Sequence, residues 1–166
     1  MNGKAKIKEN QAETVKCVWG LLCNLSSVDQ ERNNISLFNI IEQFNLPTEF
    51  FYQQEAGRRS LLFPFPYEIV LCWRRIIDVE IFDDEFLADF KVKTVDPSGQ
   101  ILQEVLCSIK FSKGIKRLRS RIMMPGVFAS VVGNYVHQIE LKSANQKDFR
   151  KVLEIPFEIK NVNAGK

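Results

Sequence analysis

Residues 15–25 read VKCVWGLLCNL, and the reading of this run decides the fold. Val15, Cys17, Trp19, Leu21, Cys23 and Leu25 stand at six consecutive odd positions, all apolar. Extended backbone turns successive side chains to opposite faces, so these six predict one greasy face of a strand. A helix would instead use the stripe at 18, 21, 22 and 25. The internal Gly20, the Val and Trp content and the unbroken alternation favour the strand.

The same period of two recurs outward along the chain. Tyr67, Ile69, Leu71 and Trp73 alternate with Glu68, Val70, Cys72 and Arg74. Phe86, Ala88, Phe90 and Val92 form the next run, followed by Ile101, Val105, Cys107, Ile109 and Phe111. Between these two runs, VDPSGQ at 95–100 predicts a hairpin: Pro97 suits the second position of a type I turn and Gly99 the left-handed position after it. Leu118, Ile122 and Met124 oppose Arg117, Arg119 and Arg121. Tyr135, His137, Ile139 and Leu141 make another face, and Lys151, Leu153, Ile155, Phe157 and Ile159 the last. Pro156 cannot donate a ladder hydrogen bond, which predicts an edge for this closing strand.

The segment NISLFNIIEQFNLP at 34–47 changes parity between Leu37 and Phe38. A β-bulge would do this, and so would coverage on both faces; the pattern alone does not separate them. The polar run SSVDQERNN at 26–34 reads as a water-facing connection between two core strands. About eight strands without alternating helices predict an all-β fold: an antiparallel β-sandwich of the Ig-like or C2-like kind, with a closed barrel as the alternative. The stretch 47–66 is too long for a hairpin turn. Its first half predicts one short helix, opened by Thr48 and stopped at Gly57, and its FPFP end is extended because residues before proline avoid the helical region. The domain is expected over 15–160, with flexible tails at 1–14 and 161–166.

A chain of 166 residues, 45% apolar and with thirteen Phe, fits one domain with a substantial core. No apolar run approaches the ~20 residues that cross a bilayer. The lysine-rich start lacks the pattern of a signal peptide, so a cytoplasmic protein without membrane attachment is expected. Cys17, Cys23, Cys72 and Cys107 are scattered and the single His is His137, which argues against a zinc site and for small buried thiols.

No nucleophile elbow, phosphate loop or dinucleotide fingerprint is present, so no catalysis, cofactor or small-molecule substrate is expected. His137 falls on the apolar parity of its strand and reads as a buried, hydrogen-bonded core residue. The acidic block at 78–89 raises calcium, with Asp83, Asp84 and Asp96 as candidates, against the reading of a solvated strand connection. The block from Val105 to Ile139 holds no acidic residue. Within it Lys113, Lys116, Arg117, Arg119 and Arg121 form a basic stripe able to follow a polyanion such as nucleic acid. The competing readings are a solvated face, protection of an edge strand, or pairing with the acidic block. Phe50, Phe51, Tyr52, Phe63 and Phe65 form a candidate partner patch, or else cover one end of the core. The expected function is a non-enzymatic interaction or structural module that binds a protein partner or itself by a sheet edge or loops, with polyanion binding through 113–121 as the alternative.

The pieces VWGLLCNLSSVDQERNNISLFNIIEQFNLP, FPYEIVLCWRR, KVKTVDPSGQIL and VVGNYVHQIELKSANQKDF together cover most of the chain. They resemble a family of small uncharacterised bacterial all-β proteins. The resemblance implies a compact sandwich-like domain and carries no catalytic residue across.

Overall fold

A computed structural model of the chain describes residues 15–29, 31–52, 60–76, 85–143 and 146–162. These form eleven strands and one short helix: β1 Val15–Asp29, β2 Asn34–Ile40, β3 Gln43–Pro47, α1 Thr48–Tyr52, β4 Leu61–Phe63, β5 Tyr67–Arg75, β6 Phe86–Val95, β7 Ile101–Phe111, β8 Arg117–Met124, β9 Val127–Ala129, β10 Gly133–Ser143 and β11 Arg150–Val162. The fold is all-β. One sheet has the order β2-β1-β5-β8, a second the order β3-β11-β10-β6-β7, and β4 pairs with β9 alone. All pairings are antiparallel except β3 with β11, which is parallel. The predicted tail 1–14, the proposed helix stop at Gly57 and the acidic positions Asp78, Glu80, Asp83 and Asp84 lie outside the described residues.

Both larger sheets contribute to one apolar core. Tyr67, Ile69, Leu71 and Trp73 of β5 meet Phe90 and Val92 of β6, Tyr135, Ile139 and Leu141 of β10, and Ile155, Phe157 and Ile159 of β11. The apolar inward positions expected of all four strands face this core, and β5 is buried on its other face as well. Period two fails in β1. The register with β5 shifts between Cys17 and Trp19, so Val15 and Cys17 face the core while further along Leu22 does. Trp19 and Leu21 turn to the other face and are half-buried, and Leu25 is 54% exposed. The predicted six-residue face is therefore split by one inserted residue, because a slip of one position exchanges the two faces of a strand.

That slip puts Gly20 on the core side. A Cβ there would lie 2.7 Å from the methyls of both Ile155 and Leu153, so β11 leaves no room for a side chain at this point of β1. The parity change between Leu37 and Phe38 falls inside β2 and leaves Phe38 and Ile40 exposed; the apolar even positions after it have a structural cause. β2 ends at Ile40 in the first sheet and β3 begins at Gln43 in the second, so Phe44 and Leu46 serve the same core from the opposite side. Most of SSVDQERNN is not a loop: β1 runs on to Asp29 and β2 starts at Asn34. Asp29 Oδ1 accepts the backbone amides of Glu31 and Arg32 at 3.0 and 3.1 Å, and Asn33 takes φ 53° to close the turn.

The hairpin at 95–100 forms as read. Gly99 has φ 85° and donates to the Asp96 carbonyl at 2.9 Å. Asp96 Oδ1 accepts the amides of Ser98 and Gln100, and Oδ2 accepts the Ser130 hydroxyl at 2.7 Å. These hydrogen bonds hold the Asp96 carboxyl below its usual range against the effect of burial. Pro156 is not in an edge strand, since β3 lies outside β11. That pairing starts only at Glu158, so the proline sits on the stretch still lacking an outer neighbour. The closing strand also extends to Val162, two residues past the expected boundary.

His137 is fully buried between two hydroxyls, Tyr67 at 2.9 Å from Nε2 and Thr94 at 3.1 Å from Nδ1, and its ring stacks on Phe157. Burial drives its pKa down to about 3, so the ring is neutral in the fold. The unfolded chain takes up a proton near pH 6.5 and the fold does not, so stability is full above that value and declines as pH falls toward 3. The loss has a limiting slope of about 1.4 kcal/mol per pH unit. Denaturant midpoints at pH 7 and 5 should show it, and the His137 ring resonances should not titrate above about pH 4. A second expectation concerns Gly126, whose Cβ would sit 2.3 Å from the Phe63 carbonyl oxygen. Gly126→Ala must push β4 away and should cost roughly 1–3 kcal/mol in a thermal melt.

Candidate interaction surfaces

Strand β8 is one edge of the four-stranded sheet. Leu118, Ile122 and Met124 pack toward the core, so alternation turns Arg117, Arg119 and Arg121 to the outer face. Each arginine meets a different neighbour on β5. Arg121 lies beside Val70, Arg119 beside Cys72 and Arg117 beside Arg74. Arg74 in turn lies beside Lys16 of β1, which makes a row of three cations across three strands.

Arg121 reaches Glu68, the carboxylate at the head of β5. Nε donates to Oε2 at 3.2 Å and Nη2 to Oε1 at 3.0 Å, while the Ser26 hydroxyl donates to Oε2. Glu68 is 1% exposed. The Arg121 hydrogen bonds hold its carboxyl below the usual carboxylate range, with Ser26 assisting.

Arg119 is held differently. Nη1 donates to Asn33 Oδ1 at 2.7 Å and Nη2 to the Asn33 carbonyl at 2.9 Å. Asn33 stands in the β1–β2 turn, so that hairpin curls over β5 to reach β8. The cleft below it has a volume of ≈ 470 Å³ and is lined by Asn33, Lys110, Ser112, Arg117 and Arg119, with Val28, Ile115 and Leu118 as its apolar part. Lys113 and Lys116 are exposed in the connection before β8, outside this lining. Of the predicted basic stripe, the fold thus brings Arg117 and Arg119 together, turns Arg121 to Glu68, and adds Lys16, Arg74, Lys110 and Asn33. Lys16 and Arg74 are each preceded by a core residue, Val15 and Trp73, and a charged outer position beside an apolar one was the only signal they carried.

The predicted aromatic patch divides in three. Phe50 packs edge-on against Phe51 and Phe63, each at 5.5 Å, and all three are half-buried on the core. Phe65 packs on Phe44 at 5.6 Å. Tyr52 is 81% exposed and borders a cavity of ≈ 360 Å³ with Val131, Val132 and Asn161.

The opposite edge of the four-stranded sheet is β2. Phe38 and Ile40 are 49% and 54% exposed, beside the equally exposed Leu25, whose register partner is Phe38. Among the thiols, burial pushes Cys17 up to about 12 and raises Cys23, Cys72 and Cys107, so each stays protonated as a small apolar group. No described helix is long and apolar enough to cross a membrane.

No protein-family model matches the chain, and no curated protein matches it. Among solved structures it is similar to the Pseudomonas fluorescens alkylpurine DNA glycosylase AlkC bound to DNA containing an abasic site analog, with 9% identity and a TM-score of 0.43. The likeness covers 90% of this chain, which spans 31% of that protein's length. At that TM-score it carries no argument.

The Glu68 pair is testable. Arg121→Ala leaves a buried carboxylate with only Ser26 as side-chain partner, and should destabilise the fold by about 1–3 kcal/mol, reduced by the partial exposure of Arg121. Because the folded Glu68 pKa is lowered, the wild-type advantage is present above the unfolded carboxylate value and lost as pH falls through the folded one. Paired urea titrations of wild type and variant should differ at pH 7 and draw together as pH is lowered below the carboxylate range.

Proposed function

We propose that this chain is a non-enzymatic interaction module: an Ig-like sandwich that associates with a second copy of itself by strand addition at β2. The order β11-β10-β6-β7 in one sheet and β1-β5-β8 in the other supports the Ig-like reading. So does Tyr135 at the start of β10, whose hydroxyl donates to the Val131 carbonyl at 2.5 Å and accepts the amides of Ser130 and Val131, in the manner of a tyrosine corner.

The observation that carries the functional reading is the contrast between the two edges of the four-stranded sheet. Edge strands expose unpaired backbone groups, and proteins guard them with charge, proline or brevity. β8 is guarded by Arg117, Arg119 and Arg121. β2, NISLFNI, has no charged residue and no proline over seven residues, and exposes two large apolar side chains. Such an edge recruits an extended strand, the backbone supplying affinity and Phe38 and Ile40 the contact. Two β2 edges meeting antiparallel about a two-fold axis use one patch on both subunits and close.

Sedimentation velocity over a concentration series should show a monomer–dimer equilibrium. The double variant Phe38→Lys/Ile40→Lys should remain monomeric with an unchanged circular-dichroism spectrum. A wild-type chain that stays monomeric up to its solubility limit removes the self-association reading.

A further inference from the structure

A second surface carries an inference independent of the β2 edge. Lys16, Arg74 and Arg117 stand side by side across β1, β5 and β8, and like charges directly opposite one another repel. None of the three is paired with a carboxylate among the described residues. One row further, Arg119 is clamped by Asn33 through two hydrogen bonds, both to neutral oxygens, and its Nε is buried without a hydrogen-bond partner. The clamp fixes a guanidinium without cancelling its charge. Among the described residues the wall of the adjoining cleft includes Lys110 and Ser112 and no acidic residue.

Among the described residues, two further sets of charges border the cleft. Lys110 pairs with Glu85 at 2.9 Å, with both side chains more than half exposed. The hairpin turn carries Asp29, whose Oδ1 is taken by two backbone amides, then Glu31 and Arg32, one of each sign. Among the described residues the balance at the cleft is positive, and Arg119 is fixed in place.

We infer that the cleft between the β1–β2 turn and β8 is a binding site for a compact, multiply charged phosphate group, with Arg117 and Arg119 as its principal ligands. A planar fork suits phosphate oxygens two at a time, and Arg117 offers one, while Arg119, held by Asn33, offers the remaining N–H of each terminal nitrogen. Arg74 and Lys16 extend the positive row beside the site, so a bound anion relieves their mutual repulsion. The space holds a phosphate or diphosphate. Arg121 is drawn to Glu68, which breaks the track that an extended chain of phosphates would need.

Isothermal titration with inorganic pyrophosphate at low salt tests this directly. Saturable binding is expected, weakening as salt rises. Arg117→Ala should weaken it about tenfold, the worth of one charge-assisted interaction. Asn33→Gly changes no charge and keeps the left-handed turn, yet should weaken it several-fold by removing the Oδ1 that positions Arg119; a merely electrostatic attraction would leave this variant unchanged. Arg117 is exposed, and an unaltered melting temperature in its variant separates lost binding from lost folding. A parallel titration with phosphatidic-acid vesicles distinguishes the sources. Tighter binding to vesicles than to pyrophosphate assigns the group to a lipid headgroup, and the reverse assigns it to a soluble phosphate. The inference is overturned if neither probe saturates, if both variants bind as wild type, or if only oligonucleotides bind, with an affinity that climbs with their length.

Discussion

Strand β5 is buried on both faces, and most of the molecule follows from that. From Tyr67 to Trp73 no side chain is more than 2% exposed. The odd positions are covered by the second sheet, as in any two-layer β architecture. The even positions, Glu68, Val70 and Cys72, need a cover too, and the outer face of an antiparallel sheet ordinarily has none. The long β1–β2 hairpin supplies it. Burying Glu68 on that side is tolerable only with partners, because an isolated carboxylate in an apolar site costs far more than a hydrogen-bonded one. Ser26 from the hairpin and Arg121 from β8 provide them, so a single acid ties three strands together.

Much of this was legible from the residue pattern, and the part that was not has identifiable causes. Alternation located β5, β6, β10 and β11 because each presents one continuous apolar face to the shared core. It misplaced Trp19, Leu21 and Leu25. A bulge leaves no mark when the residues on either side of it are apolar, as Val18, Trp19, Leu21 and Leu22 are. The polar run at 26–34 looked like a loop for a related reason. Its side chains are hydrophilic because the hairpin overhangs the sheet and meets Glu68, Arg119 and water, while its backbone remains paired. The turn at 95–100 was readable to the residue, since Pro97 and Gly99 set their own dihedral angles. The cationic row was not. Lys16, Arg74 and Arg117 are far apart in the chain and adjacent only through two strand registers, which hydrophobic pattern does not specify at outward-facing positions.

The three arginines of β8 show how register decides what one residue type does. They are equivalent in sequence, two positions apart on one face. Arg121 meets a row whose nearest acid is Glu68, and the pair is neutral overall. Arg119 meets a row with Cys72, which is protonated, and finds only the amide and carbonyl of Asn33. A carboxylate in that place would fix the guanidinium and cancel it; an amide fixes it and leaves the field intact, and fixed donors in a partly dry cleft act more strongly than the same donors in water. Arg117 meets Arg74, so its row adds charge where the first cancelled it. Among the described residues, net positive charge therefore grows along the edge from the Glu68 end toward the β7–β8 connection, although the strand itself carries the same residue at each step. The fold converts a uniform stripe into a graded one, and the gradient is set by what β5 places opposite.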